Sequence, residues 1–521
     1  MSKGTTLVTW QAIIIVFVAS ACTLVIEIVA GRLLAPYMGV NLYTWTSIIG
    51  VVLAGISLGN YIGGWLADRF ASRQLLGLQF FASALATLSV LPLLDLMVAS
   101  GGNLRMSLIL KVLLYVTVIF FLPGFVMGTI SPVVVKLCLT DLRRSGKTVG
   151  LIYAFSTLGS ILGTFITGFY LISAFGTRLI LFGVAGVLAL MGLLFGGIRP
   201  GLPRSAVASN LIALVAVVAT IAHGLINNRH LSPFYRETDY FTINISEKTF
   251  GDGTKGLALV LDHLIHSFSD PNDPTKLEYG YERIYREVTA LKAETKPDMR
   301  TAFIGGGGYT FPRYIEAVYP RSTIHVVEID PAVTEVAYER LGVRRDSRIV
   351  PFNEDARLFF NRFGDGTATE APYDIIFGDA FNDIAVPYHL TTAEFNALVA
   401  RALAPDGLYV VNVIDSYQRG EFLRAYMRSL KLHFPHVYLL GLGEAWRSPA
   451  ASTYVVVGAK QPLDLDGLRR VATRDGQRME SAVLPPADLE AYLASGHQIV
   501  LTDDYVPVDQ LLAWLFEERG F

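Results

Sequence analysis

Charged side chains are scarce in this chain. Only 17 % of its 521 residues are Asp, Glu, Lys or Arg, where a soluble globular chain carries about 25 %. The charges that do occur nearly cancel, 43 basic against 45 acidic, for a formal net charge of −2. A nucleic-acid-binding surface needs a basic excess to displace counterions from phosphate, so no nucleic-acid partner is expected. Cysteine is rarer still: Cys22 and Cys138 both lie in apolar runs, which rules out a disulfide framework and offers no metal-ligand spacing. The shortage of charge is also uneven. Long uncharged runs lie before about residue 226, and nearly all the charge lies after it. The length exceeds one ordinary domain, and the pattern divides it into a membrane part, 1–226, a small β region with its lead-in, 227–290, and an α/β domain, 291–521.

Apolar length is what the first part has in quantity. A helix needs about 20 apolar residues to cross hydrocarbon. Seven stretches qualify, near 8–30, 42–65, 75–98, 108–136, 148–175, 179–198 and 205–225. The runs Leu42 to Trp65 and Thr148 to Thr177 hold no charge at all. Helices of a soluble core are rarely so long and apolar on every face, so the expectation is a multi-pass domain of about seven helices in a cell membrane, with the lipid bilayer as partner. The first stretch is too long for a signal-peptide core and no small-residue cleavage site follows it, so it reads as retained. Gly55, Gly59 and Gly63 recur every fourth residue and line one helix face, where a neighbouring backbone can approach closely. Pro123-Gly124 and Ser131-Pro132 break the hydrogen-bond ladder of the fourth helix and predict a kink. Glu27 reads as the one ionisable residue deep inside a span, with Arg32 near enough to pair at the membrane edge.

Orientation follows from loop charge. Arg69 and Arg73, then Arg143, Arg144 and Lys147, then Arg199 and Arg204 follow the second, fourth and sixth helices. The alternate loops offer mainly Arg32, Arg105 and Arg178. The positive-inside rule places the first set in the cytoplasm with Lys3, and seven spans would carry the C-terminal part to the other side. The run GGWLADRFASR is similar to the cytoplasmic loop motif of major-facilitator transporters.

From about Asn227 strands alternate with helices, the pattern of a parallel sheet. Thr301 to Ile304 reads as a strand running into Gly305-Gly306-Gly307-Gly308 and then a helix; a second strand, Ile324 to Glu328, ends on an acid. Glycines let a cofactor approach the backbone, and an acid at the next strand's end accepts hydrogen bonds from ribose hydroxyls. Asn353-Glu354-Asp355-Ala356 follows a short strand at Arg348 to Pro351, and the strand Tyr373 to Phe377 releases Gly378-Asp379. Ligands of open α/β sheets bind beyond the carboxyl ends of the strands, the edge where Gly305, Glu328, Asp355 and Asp379 gather.

The ordered series FIGGGGYTFPRY, VVEIDP, NEDARLFF, YDIIFGDAFND and LTDDYVPVDQLL, preceded by LVLDHLIHSF and LEYGYERIYREV, resembles the spermidine synthases, or polyamine aminopropyltransferases, over about residues 235–515. The fusion to a helical domain is similar to bacterial membrane-anchored members. The resemblance implies a Rossmann-like, class I methyltransferase-type domain behind a small β region. It implies decarboxylated S-adenosylmethionine as co-substrate, a polyamine such as putrescine as acceptor, and no metal. Gly305, Gly306 and Gly307 would face the methionine-derived part of the donor. Glu328 would hold the ribose, Ile329 would lie against the adenine, and Asp355 and Ala356 would contact the base. Asp379 matches the acid that opens the family's catalytic loop, where a carboxylate deprotonates and orients the attacking amine. Tyr281 matches a tyrosine of the acceptor pocket, with Glu282 beside it, and Asp383, or Asn382 by a one-residue shift, would bind the far end of a diamine.

The chain also departs from that pattern. Gly308 stands where the family's glycine loop carries an Asp that grips the amine of the aminopropyl group. Tyr240-Phe241 replaces a Tyr-Gln pair, Tyr281-Glu282 a Tyr-His pair, and the catalytic loop reads DAFND rather than with two acids three apart. Plant putrescine N-methyltransferases share the fold with an altered donor loop, so S-adenosylmethionine-dependent N-methyl transfer is one alternative. A non-catalytic polyamine- or nucleoside-binding transport or sensing protein is another. His263 and His266 near Asp262 fall in a strand that the resemblance explains without a metal. Association as a homodimer is left open.

Overall fold

The computed structural model describes residues 7–39, 42–99, 108–139, 145–196, 204–227, 234–262, 264–380, 386–476 and 478–518. The chain divides into two compact units. The first runs to Leu231 and takes in Glu237–Asp239; the second holds Ser232–Arg236 and runs from Tyr240 to Arg519.

The first unit is helical: α1 (Thr9–Met38), α2 (Leu42–Phe70), α3 (Arg73–Ala99), α4 (Leu108–Gly128), α5 (Ile130–Cys138), α6 (Ser145–Ile166), α7 (Ile172–Phe195) and α8 (Arg204–Asn227). Among the described residues, five segments are long and apolar enough to cross a membrane, where the sequence pattern suggested about seven. The difference has two causes. Ser145–Phe195 counts as one apolar segment of 51 residues: α6 runs through a π turn, Thr167–Leu171, into α7, but Gly176 leaves helical geometry (φ 72°, ψ 164°) and kinks the segment between the stretches expected near 148–175 and 179–198. The last apolar helix, Ala208–Gly224, is a shorter piece.

The glycine face of α2 packs on the backbone of α4 and its continuation. A methyl on Gly55 would lie 2.8 Å from the Phe121 carbonyl oxygen and one on Gly63 2.6 Å from that of Thr129, while one on Gly59 would overlap the Phe125 carbonyl. Gly159 and Gly163 of α6 meet the Phe17 and Ala21 carbonyls of α1 in the same way. Such close approach lets two helices gain dispersion contact along their backbones. The expected break of the fourth helix falls at Thr129, between α4 and α5, where buried Gln79 donates its amide to the Thr129 carbonyl (2.9 Å) and hydroxyl (3.0 Å). Glu27 is not alone as an ionisable group in a helix, since Lys111, near the start of α4, is 2 % exposed.

The second unit opens with a four-stranded sheet in the order β1-β2-β3-β4, from Tyr235–Glu237, Thr242–Thr249, Lys255–Leu261 and Leu264–Ser269. After helix α9 (Gly280–Thr295) come β5 (Arg300–Ile304), α10 (Thr310–Val318), β6 (Thr323–Val327), α11 (Pro331–Glu339), β7 (Ile349–Phe352), α12 (Ala356–Gly364), β8 (Tyr373–Gly378), α13 (Ala393–Ala402), β9 (Leu403–Asp415), β10 (His436–Leu442), β11 (Ser452–Ala459) and β12 (Ser481–Val483). They form an eight-stranded sheet ordered β12-β10-β11-β9-β8-β5-β6-β7. β5 to β9 run parallel, and β10 to β12 join antiparallel. The architecture is therefore the helical domain plus Rossmann-like α/β domain that the sequence implied. All six residues of β8 are buried, as a strand covered on both faces requires. The chain passes from β5 to β6 and β7 on one side and returns to β8 on the other, so the crevice between the carboxyl ends of β5 and β8 is the topological switch point.

Candidate active site

Backbone hydrogen bonds bring three strand ends into line. Gly305 N–H donates to the Val327 carbonyl at 2.9 Å, Asp379 N–H to that of Ile304 at 2.9 Å, and Glu328 N–H to that of Phe352 at 3.0 Å. Gly305 leaves β5 with φ +92°, and a methyl there would lie 2.7 Å from the Asp379 carbonyl oxygen, so only glycine fits. The run ends at Tyr309, itself left-handed (φ 56°), whose buried hydroxyl pairs with Thr334 Oγ1 at 2.8 Å.

A cavity of about 250 Å³ opens over this edge. It brings together Gly305, Gly306, Gly307, Asp379, Tyr281 and Glu282 of the expected site. Asp379, half-buried at the end of β8, accepts a hydrogen bond from the Tyr281 hydroxyl on Oδ2 (3.2 Å) and from Asn412 Nδ2 on Oδ1 (2.9 Å). Burial lifts its carboxyl above the ordinary range, and the two hydrogen bonds pull it back. Glu282, 3 % exposed in the first turn of α9, reaches back to the Tyr279 N–H at 3.3 Å. Burial holds its carboxyl well above the ordinary range, with the Asp379 charge adding to the shift. The periodicity of α9 explains the placement: Tyr281, Ile284, Tyr285 and Val288 form its buried face, and Glu282 is carried in beside them. His266 Nδ1 is 3.0 Å from the Leu264 carbonyl, so in the neutral ring that burial favours Nδ1 carries the proton.

The donor-side residues lie along the same sheet edge but do not line that cavity. Glu328 follows β6, buried; its Oε2 accepts from Gly306 N–H (2.7 Å) and its Oε1 from Asp330 N–H (3.0 Å). The Gly307 N–H also acts on this carboxylate, which keeps lone-pair capacity for a ligand hydroxyl. Ile329 beside it is half-buried. Asp355 caps α12 through Oδ1 on the N–H groups of Arg357 (2.8 Å) and Leu358 (3.3 Å), while Oδ2 meets His389 Nε2 at 2.9 Å. The His389 contact leads the effects that hold its carboxyl below the ordinary range. Ala356 is buried directly after it. Asn382, Asp383 and His263 lie outside the described residues.

Sequence reasoning passed over Asn412 and His389. Asn412 had a signal, since a polar amide in the middle of the apolar strand YVVNVID of β9 calls for a partner. His389 had none, because its pairing with Asp355 arises between segments 34 residues apart.

No family model matches the chain. A polyamine aminopropyltransferase of Vibrio vulnificus is 30 % identical over 163 residues, 31 % of this chain and 52 % of the relative. One of Moorella thermoacetica is 31 % identical over 228 residues, 42 % of this chain and 75 % of the relative. One of Corynebacterium efficiens is 26 % identical over 440 residues, 78 % of each chain. The match spans about half the length of the Vibrio protein.

Proposed function

The chain belongs to the polyamine aminopropyltransferase family, and from that premise we propose that it transfers an aminopropyl group from decarboxylated S-adenosylmethionine to a primary amine of a polyamine such as putrescine. The observation that carries the reading is the charge of the cavity. Asp379 and Glu282 line it, and among the described residues no Lys or Arg does, while burial keeps the lining His266 toward its neutral form. Two buried acids without a cation favour an ammonium ligand. The rings of Tyr279 and Tyr281, 5.6 Å apart and also in the lining, add aromatic faces suited to a cation. Burial and the Asp379 charge already push the Glu282 carboxyl up. A donor that kept its α-carboxylate would set a further negative charge beside Asp379, which supports the decarboxylated form.

In this reading Asp379 takes a proton from the acceptor ammonium, and burial makes it a stronger base than an exposed carboxylate. Tyr281 and Asn412 hold it in place. The freed nitrogen lone pair forms a C–N bond at the propyl carbon next to the sulfonium. The C–S bond breaks, and its electron pair leaves neutral methylthioadenosine. Gly305, Gly306 and Gly307 give the donor's chain room, Glu328 takes the ribose hydroxyls, and Ile329, Asp355 and Ala356 border the base. Asp383, or Asn382 by a one-residue shift, takes the far end of the diamine. The helical unit anchors the enzyme in a lipid bilayer, and the soluble unit faces the cytoplasm, where the donor is made.

The test is a mass-spectrometric product assay on the full chain in detergent with putrescine or spermidine and either donor. Methylthioadenosine that appears only with an amine, and is lost in Asp379→Asn, is the expected result. S-adenosylhomocysteine from S-adenosylmethionine would replace this reading with methyl transfer, and no product from either donor would point to binding without turnover.

A further inference from the structure

The two ends of the glycine run face different chemistry. At Gly305 the neighbour is Asp379; at Gly308 it is Ser267 of β4, whose Oγ occupies the space a side chain at 308 would need. Gly308 lacks the positive φ of Gly305 and Gly307, so its backbone would accept other residues; Ser267 is the main obstacle, with Ser269 Oγ 3.3 Å from an added Cβ. The two positions therefore compete for one volume, and in this chain a hydroxyl fills it.

That hydroxyl has no partner. Ser267 is 4 % exposed, its Oγ is buried without a hydrogen bond, and it lines the cavity. Its neighbour two residues on behaves differently: Ser269 Oγ pairs with Thr310 Oγ1 at 2.9 Å. A register shift in the pairing of β3 with β4 passes over His266 and sets Ser267 opposite Leu259. An orphaned buried hydroxyl destabilises the fold, a penalty that a ligand group at this spot would remove.

We propose that Ser267 is a substrate-binding residue, whose hydroxyl accepts a hydrogen bond from the terminal ammonium at the end of the donor's propyl arm. The inference rests on the aminopropyl-transfer reading, in which the reacting carbon lies by Asp379 and the arm runs along the glycines toward Gly308. A carboxylate-ended arm is the wrong chemistry here, since the described lining holds two acids, a histidine that burial keeps toward its neutral form, and neither Lys nor Arg.

The experiment compares the full-length protein in detergent with Ser267→Ala, Gly308→Asp and the double variant Ser267→Gly/Gly308→Asp, reading melting temperature and the KM of each substrate. Ser267→Ala removes an unsatisfied group, so its melting temperature should hold or rise. The donor KM should rise roughly tenfold or more, the weight of one hydrogen bond to a charged group, with the amine KM unchanged. A purely structural serine would give the opposite pattern, a lower melting temperature with the donor KM intact. Gly308→Asp alone should lose donor binding through collision with Ser267, and Ser267→Gly should restore it. An unchanged donor KM in Ser267→Ala, or no rescue in the double variant, overturns the assignment while the wild type still turns over. A wild type that releases no methylthioadenosine overturns the aminopropyl-transfer reading and this inference with it.

Discussion

Asn412 on β9 donates its side-chain amide to Asp379 at the end of β8, Nδ2 to Oδ1 at 2.9 Å, so the candidate base is held from the next strand of the sheet. This hydrogen bond favours the ionised form and opposes the upward push of burial. Asn412→Ala should therefore raise the carboxyl further and move the acid limb of the pH–rate profile to higher pH. Loss of a hydrogen bond to a charged group predicts a fall in kcat at neutral pH of roughly tenfold or more. A limb that stays in place, or moves to lower pH, would refute the positioning role.

Glu282 sets function against stability. Its folded carboxyl lies well above the unfolded value because burial disfavours the charge. A raised carboxyl contributes stability that is fully present below the unfolded value and is lost as pH rises through the folded one. Glu282→Gln should therefore melt higher than the wild type at pH 8, with the gap closing toward pH 4. The same variant should bind the amine acceptor several-fold more weakly, since one of the two cavity acids is gone. Calorimetric melts across that pH range decide the first part, and a variant that is less stable at pH 8 would contradict it.

The large sheet was readable because its strands and turn glycines are local signals: Thr301 to Ile304 into the glycine run, and Ile324 to Glu328, fall where β5 and β6 lie. Asp379 was readable for the same reason, as a strand-end acid. Glu328 shows where local reading stops, because its bonds to Gly306 N–H and Asp330 N–H depend on how two loops meet. Ser267 was hidden for the same physical cause. Its meaning comes from Gly308, 41 positions away in the turn that follows β5, and nothing in LVLDHLIHSF announces that meeting. The stretches read near 148–175 and 179–198 part where Gly176 kinks the segment Ser145–Phe195, and they were separable because the apolar run is interrupted there by Gly176 and the charged Arg178.

Loop charge and donor supply argue for opposite sides of the membrane, and the donor argument predicts a cytoplasmic soluble unit. Scarcity of cysteine makes the test clean, because Cys22 and Cys138 are both buried. Lys255→Cys places a thiol at the exposed start of β3. A membrane-impermeant maleimide should label it only after the cells are permeabilised. Labelling of intact cells would put the unit outside and separate it from cytosolic donor.

The helix face of α2 gives a prediction with its own internal control. Gly59 and Gly64 are both glycines in the same helix, and alanine is the better helix former by about 1 kcal/mol in either place. Their surroundings differ: a methyl on Gly59 would overlap the Phe125 carbonyl, whereas nothing lies within 4 Å of one on Gly64. Overpacking against a rigid backbone destabilises by about 1–3 kcal/mol, and here no flexible side chain can yield. Gly59→Ala should therefore lower the melting temperature of the detergent-solubilised protein, and Gly64→Ala should leave it level or raise it. Equal behaviour of the two variants would mean that α2 and α4 do not meet backbone to backbone along this glycine face.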